Sequence, residues 1–168
     1  RIWMSRPSRP TSVAARASML SQYWLVTLML CVLATSAGAS SGQLANFGTQ
    51  NDQPWVVMVT QPGCSFCERL EREILQPLRA SGQFAGRVRF SEVDIGVNPT
   101  IIDFNGEPIT SVDFARRYQA FGTPTLLFLS ASGEELSPPR YGVPDAIDFY
   151  AYAIEQTITA ILPPVMSR

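Results

Sequence analysis

An uninterrupted apolar run, Trp55-Val56-Val57-Met58-Val59, passes through Thr60-Gln61-Pro62-Gly63 into a cysteine pair, Cys64-Ser65-Phe66-Cys67. A run without polar alternation predicts a central strand covered on both faces. Gln61-Pro62-Gly63 predicts a turn, and a helix should follow from Cys64 to about Gln76. Cys67, Leu70, Ile74 and Leu78 recur at helical spacing and form its inner face, and Pro77 should kink or end it. Two thiols therefore stand where a buried strand gives way to a helix. Cys64 falls at the helix N-terminus, where backbone N–H groups stabilise a thiolate. Cys67, on the inner face, is close enough to form a disulfide with it. A bridge spanning two intervening residues removes little entropy from the unfolded chain, so the spacing favours a reactive pair over a structural staple.

The rest of the chain alternates strand and helix. Val88–Ile95 predicts a strand with Val88, Phe90, Val93 and Ile95 inward. Residues 96–110 contain Pro99 and Pro108 and predict an irregular excursion with a short turn at Ile101-Ile102. Ser111–Ala120 predicts a helix capped by Thr110 or Ser111. Thr125-Leu126-Leu127-Phe128-Leu129 is a second continuous apolar strand, and Ala131-Ser132-Gly133-Glu134 is a hairpin turn. A short strand at Glu135-Leu136 should stop at Pro138-Pro139, at a sheet edge. Pro144 should open a last helix whose stripe is Ile147, Tyr150, Ala151, Ile154, Ile158 and Ile161. A helical crossover makes the first two strands parallel, and the tight turn makes the last two antiparallel. The expected architecture is α/β: a mixed central sheet of about four strands flanked by helices.

Composition removes several chemistries. Histidine and lysine are both absent, and all 13 basic residues are arginine. That excludes imidazole bases, His-containing zinc sites, Schiff bases and a P-loop lysine. A net charge of −1 argues against nucleic acid as partner. The charge is unevenly spread. Arg1, Arg6, Arg9 and Arg16 precede the first acidic residue, Asp52. The apolar stretch Tyr23–Ala34 lies between them and is followed by Ala37-Gly38-Ala39. That order describes a secretory signal peptide over residues 1–39, with an uncleaved membrane anchor as the alternative. Cys31 would be discarded with it. Its loss leaves nine arginines against 14 acidic residues, an acidic exported domain. Residues 40–52, rich in Ser, Gly, Asn and Gln, predict a linker, 53–162 the domain, and 163–168 a tail.

Three local patterns give the chain a family resemblance. They are the strand–Cys64-Ser65-Phe66-Cys67–helix order, Gly122-Thr123-Pro124-Thr125 before an apolar strand, and Arg140-Tyr141-Gly142-Val143-Pro144 with Phe149 in the closing helix. Over residues 53–162 the chain resembles a thioredoxin-fold protein, and the third pattern is similar to exported thioredoxin-related proteins of the SoxW type. The resemblance implies the thioredoxin fold, a cis Pro124 beside the cysteine pair, and no cofactor or metal. It implies a membrane thiol donor of the DsbD or CcdA kind, with c-type cytochrome apoproteins or sulfur-metabolism proteins as targets. Three departures stand out. Met58 occupies the position of the buried aspartate of cytoplasmic thioredoxins, so the proton acceptor usually assigned to that aspartate is missing. Ser65-Phe66 replaces Gly-Pro, and Thr123 replaces an aliphatic.

The expected chemistry is thiol–disulfide exchange in a periplasmic or otherwise exported enzyme, with the reductase direction favoured. Cys64 is the nucleophile, and Cys67 is the resolving thiol that displaces the bound target. Glu68, one turn after Cys64, opposes an extreme thiolate. Phe66 offers an apolar docking spot, and Pro124 pairs with incoming peptide. Thr123 either contacts substrate or serves as an ordinary β-branched strand residue. Trp55 reads as core. Glu68, Arg69, Glu71, Arg72 and Glu73 read as a solvated helix face, and Arg116-Arg117 as equally unremarkable. Two other functions compete: a Cu(I) module using Cys64 and Cys67 as soft ligands, and a non-catalytic interaction module.

Overall fold

Strand β1 (Trp55–Thr60) lies inside a four-stranded sheet because nothing on it is polar until Thr60. The computed structural model describes residues 45–48 and 52–163. The expected signal peptide falls outside them, as does all of the expected tail except Pro163. After β1 come α1 (Ser65–Leu70), a π-helical turn (Glu71–Leu75) and α2 (Gln76–Ala80). Then follow β2 (Arg89–Asp94), the short strands β3 (Thr100–Ile102) and β4 (Pro108–Thr110), and α3 (Ser111–Arg117). β5 (Thr125–Leu129), β6 (Glu135–Tyr141) and α4 (Ile147–Ile161) complete the order.

The main sheet runs β2-β1-β5-β6. β1 is parallel to β2 and antiparallel to β5, and β6 is antiparallel to β5 at the edge. The period-2 geometry of β1 divides its side chains between two cores. Val56 and Met58 join Leu126 and Phe128 against Leu70, Ile74, Ile154 and Ile158, under the helices that carry the cysteines and close the chain. Trp55, Val57 and Val59 join Leu127 and Leu129 against Phe114 of α3 and Tyr118 at its C-terminal cap. Both apolar strands are thus covered on both faces, as their composition requires.

Five local expectations are corrected. Residues 45–48 do not form a linker: Phe47 is buried, stacks on Phe104 and Phe114 at 4.8 and 4.9 Å, and meets Trp55 edge-on. Its N–H donates to the Ile102 carbonyl. Ile101-Ile102 is strand, not turn, because β3 pairs with β4 and the reversal falls at Asp103–Gly106. Pro77 does not end the helix. It sits in the first turn of α2, where a missing N–H costs nothing, directly after the wider π turn. Pro138-Pro139 do not cut β6, which continues to Tyr141. An edge strand tolerates lost donors, and the β5–β6 register shifts on either side of Phe128 absorb the irregularity. The last helix starts at Ile147, three residues after Pro144.

Candidate active site

The turn out of β1 decides where Cys64 goes. Gly63 adopts φ +71°, a left-handed conformation that favours glycine. The Cys64 N–H closes the turn onto the Gln61 carbonyl at 3.3 Å. Cys64 then stands at the N-cap of α1 with extended backbone, and its Sγ accepts the Cys67 N–H at 3.1 Å. A sulfur thus occupies the place usually held by a Ser or Asp oxygen. Cys64 and Cys67 form a disulfide, with Cα atoms 5.2 Å apart. The two cysteines differ in access: Cys64 is half-buried, whereas Cys67 is buried beside Leu70 and Ile74. Phe66, between them, is 56% exposed.

A second loop reaches the same end of the sheet. The Val59–Thr125 pairing puts Pro124 level with the end of β1, where the cysteine turn begins. The Thr123–Pro124 peptide is cis. Pro124 is buried and its carbonyl accepts the Gly142 N–H at 2.8 Å. Thr123 is half-buried, and Thr125 Oγ1 donates to the Gly122 carbonyl at 2.6 Å. Trp55 lies in the core at the opposite end of β1, with the Arg89 guanidinium over its ring at 4.1 Å.

A cavity of about 220 Å³ opens beside the disulfide, lined by Met58, Cys64, Cys67, Glu68, Glu71 and Glu92 among others. Thr123 and Pro124 are not in its lining. Three residues of this neighbourhood escape a sequence reading. Glu71 stands only partly in the solvated face: its side chain keeps 30% exposure, one carboxylate oxygen pairs with Arg79, and the other is buried. Its spacing, one turn beyond Cys67, was the available signal. Glu92 pairs with Met58 in the parallel register and so faces the same side of the sheet. Gly96 packs against the cysteine turn, where a Cβ would collide with Pro62. Burial pushes the Arg79 pKa below its ordinary value, and the nearby Glu92 charge offsets only part of that. The outer helix face behaves as expected: Arg69 and Arg72 hold the Glu73 carboxyl below its ordinary range.

Arg117 is not the bland surface residue expected. It grips buried Asp103 with two hydrogen bonds, at 3.0 and 2.7 Å. Burial raises the Asp103 pKa, but hydrogen bonds from Arg117 and the Phe104 N–H outweigh it and hold the pKa low. Among the described residues, no group of three or more Cys, Asp or Glu side chains is placed to hold a metal ion.

The sequence signature described as a thioredoxin-like domain matches residues 43–155. The chain belongs to that thioredoxin-like family. No curated protein matches it. Among solved structures, a DsbH oxidoreductase is 18% identical with a TM-score of 0.47, over 64% of this chain and 74% of the other. StoA from Bacillus subtilis is 15% identical with a TM-score of 0.42, over 61% of this chain and 83% of the other. The mixed four-stranded sheet with flanking helices is the thioredoxin-like fold. In a thioredoxin-like domain, the half-buried cysteine at the helix cap and its buried partner form a pair suited to thiol–disulfide exchange.

Proposed function

We propose that this protein is an exported thiol–disulfide oxidoreductase of the SoxW type that reduces protein disulfides. The observation that carries the reading is the unequal access of two bonded cysteines at a helix start: Cys64 half-buried at the cap, Cys67 buried behind it. Reduced Cys64 attacks a target disulfide as a thiolate, supported by the helix N-terminus. Cys67 then attacks the Cys64 sulfur of the mixed disulfide and releases the target as a thiol. Exposed Phe66 receives apolar target residues, while Thr123 and Pro124 border the incoming peptide. Reductant duty outside the cytoplasm requires imported electrons, for which a membrane thiol donor of the DsbD or CcdA kind is suited. Signal-directed export accounts for the arginine-rich, apolar N-terminal segment. The direction is assigned from the Ser65-Phe66 dipeptide and Thr123.

Insulin reduction with dithiothreitol tests the chemistry. Wild type should accelerate it, Cys64→Ser should abolish the acceleration, and Cys67→Ser should accumulate a mixed disulfide. Turnover that survives Cys64→Ser refutes the assignment. The reduction potential tests direction: a value near about −270 mV supports a reductase, and one near about −120 mV an oxidant. A second reading, Cu(I) binding, draws on Met58, a soft thioether lining the same cavity as both cysteines. Stoichiometric Cu(I) uptake without insulin turnover would select it.

A further inference from the structure

Arg140 and Phe149 belong to a sequence pattern that the exchange cycle leaves unused, and both line one cavity. It has a volume of about 610 Å³ and lies between edge strand β6 and helix α4. It shares no lining residue with the cavity beside the disulfide. One stripe of α4, Tyr150, Ile154 and Ile158, is buried in the core. A second face of the same helix is uncovered: Phe149 is 74% exposed and Tyr152 58%, and Leu136 of β6, on the same groove, is 42% exposed. Three of the seven large hydrophobic side chains exposed among the described residues thus converge on one groove. Such a concentration marks an interaction surface, and aromatic residues and arginine are the types that anchor protein interfaces.

Among the described residues, Arg140 is the one charged residue in the lining, and it pairs with no carboxylate. Its Nη2 donates to Thr157 Oγ1 at 2.8 Å, which fixes the guanidinium against α4. Its Nε is sealed and unpaired, so a ligand would meet Nη1, which is neither sealed nor bonded to another described residue. Glu155, the acid in the middle of α4, accepts from Gln83 Nε2 at 2.8 Å instead. A half-buried guanidinium without a counter-ion, set among apolar walls, is complementary to an apolar body carrying one carboxylate. The form of that body follows from the two walls. Pro138 and Pro139 remove N–H donors from the middle of β6, so its outer edge is poorly suited to take a further strand. The α4 wall, from Phe149 to Ile161, runs roughly 18 Å, about three helical turns. We propose that this groove docks an amphipathic helix of a partner protein whose apolar face carries one Asp or Glu directed at Arg140. Apolar side chains of the partner lie against Leu136, Phe149 and Tyr152, and its carboxylate meets the guanidinium at Nη1. Because no cysteine lines the groove, docking is independent of the redox state of Cys64 and Cys67 and does not rest on the exchange cycle.

The probe is a phage-displayed library of random peptides of about 15 residues, four helical turns, selected on the immobilised full chain. Enriched peptides should share one Asp or Glu among apolar residues spaced three and four apart. A labelled synthetic copy should bind in fluorescence anisotropy. Changing its acid to the corresponding amide should weaken binding at least about tenfold, as should Arg140→Gln or Phe149→Ser in the protein. The double variant Cys64→Ser, Cys67→Ser should bind as wild type does. If Arg140→Gln does not fold, the amide peptide on the wild-type chain reads the same charge contact. Selection of no sequence, or of sequences without an acid, overturns the proposal. Binding that survives Phe149→Ser but fails in the double cysteine variant overturns it too, by placing the peptide at the cysteines. A dimer of the chain that Phe149→Ser dissociates would assign the groove to a second copy and overturn it equally.

Discussion

Gly96→Ala should damage catalysis more than stability, and Gly133→Ala should do the reverse. A Cβ on Gly96 would lie closer to Pro62 Cδ than real Cβ contacts allow, and 3.1 Å from Gln61 Cβ. Both neighbours belong to the turn that delivers Cys64 to its cap. The loop cannot yield easily, because the Gly96 N–H is held by Asp94 Oδ1 at 2.7 Å and the Asp94 carbonyl by Ser111 Oγ at 2.6 Å. Overpacking of this kind costs about 1–3 kcal/mol, and the turn is the part free to move. A displacement of roughly 1 Å at a reacting group can cost about 100-fold in rate. Gly133 lies in the β5–β6 turn, beside Leu129 and so at the Trp55 end of β1, away from the cysteines. Its φ is +87°, and a Cβ there would meet Phe104 Cδ2 at 2.5 Å. The conformational cost of about 1–2 kcal/mol adds to a similar steric cost, for a total of about 2–5 kcal/mol. Thermal unfolding by circular dichroism and insulin reduction well below Tm separate the two effects. Gly96→Ala should lose a few degrees and at least about tenfold in rate, while Gly133→Ala should lose on the order of 10 °C and keep its rate within about twofold. Full activity in Gly96→Ala would show that the Pro62 turn does not set the position of Cys64.

Two further outcomes concern the core opposite the cysteine helix. Asp103→Asn should destabilise the fold by about 1–3 kcal/mol at neutral pH, discounted because Arg117 keeps 44% of its side chain in solvent. The folded pKa of Asp103 lies below its unfolded value of about 3.9, so its contribution is complete above that pH and fades as pH falls through the folded value. The Tm gap between wild type and variant should close in acid; a gap independent of pH refutes the ion pair as its source. Phe47→Ala should cost about 3–5 kcal/mol in urea unfolding, as for a buried aromatic. A loss under about 0.5 kcal/mol would restore the linker interpretation.

The parts of the fold that could be read from sequence are those where one physical signal dominates. β1 and β5 announce themselves by apolar runs too long for a half-exposed strand. Thr110 announces the α3 cap, and its Oγ1 accepts the Asp113 N–H at 3.1 Å. The parts that could not be read depend on partners distant in sequence. Phe47 sits in a polar stretch, and its burial requires Trp55, Phe104 and Phe114 to be already assembled. Ile101 reads as part of a loop because a three-residue strand has no periodicity of its own and is defined by Ile109 across from it. Pro138 and Pro139 forbid a central strand, but an edge strand leaves half of its backbone unpaired and can keep them.

The cysteine pair was legible for a related reason: turn, cap and spacing are all local. The acid beside it was not, because a carboxylate can enter a cavity from any wall. Comparison along β1 finds Met58 and concludes that an acceptor is missing. Across the sheet, register brings Glu92 opposite Met58, yet β2 is an edge strand and that residue stays exposed. Down the helix, Glu71 is tied to Cys67 by one turn of backbone and to Arg79 by an ion pair, which keeps one oxygen engaged and leaves the other buried. An acid on the sheet would depend on helix–sheet packing for its distance to the sulfur. An acid on the same helical segment is brought to the cavity wall by the segment's own geometry, so Glu71 lines it together with Cys67 while Met58 fills the sheet side.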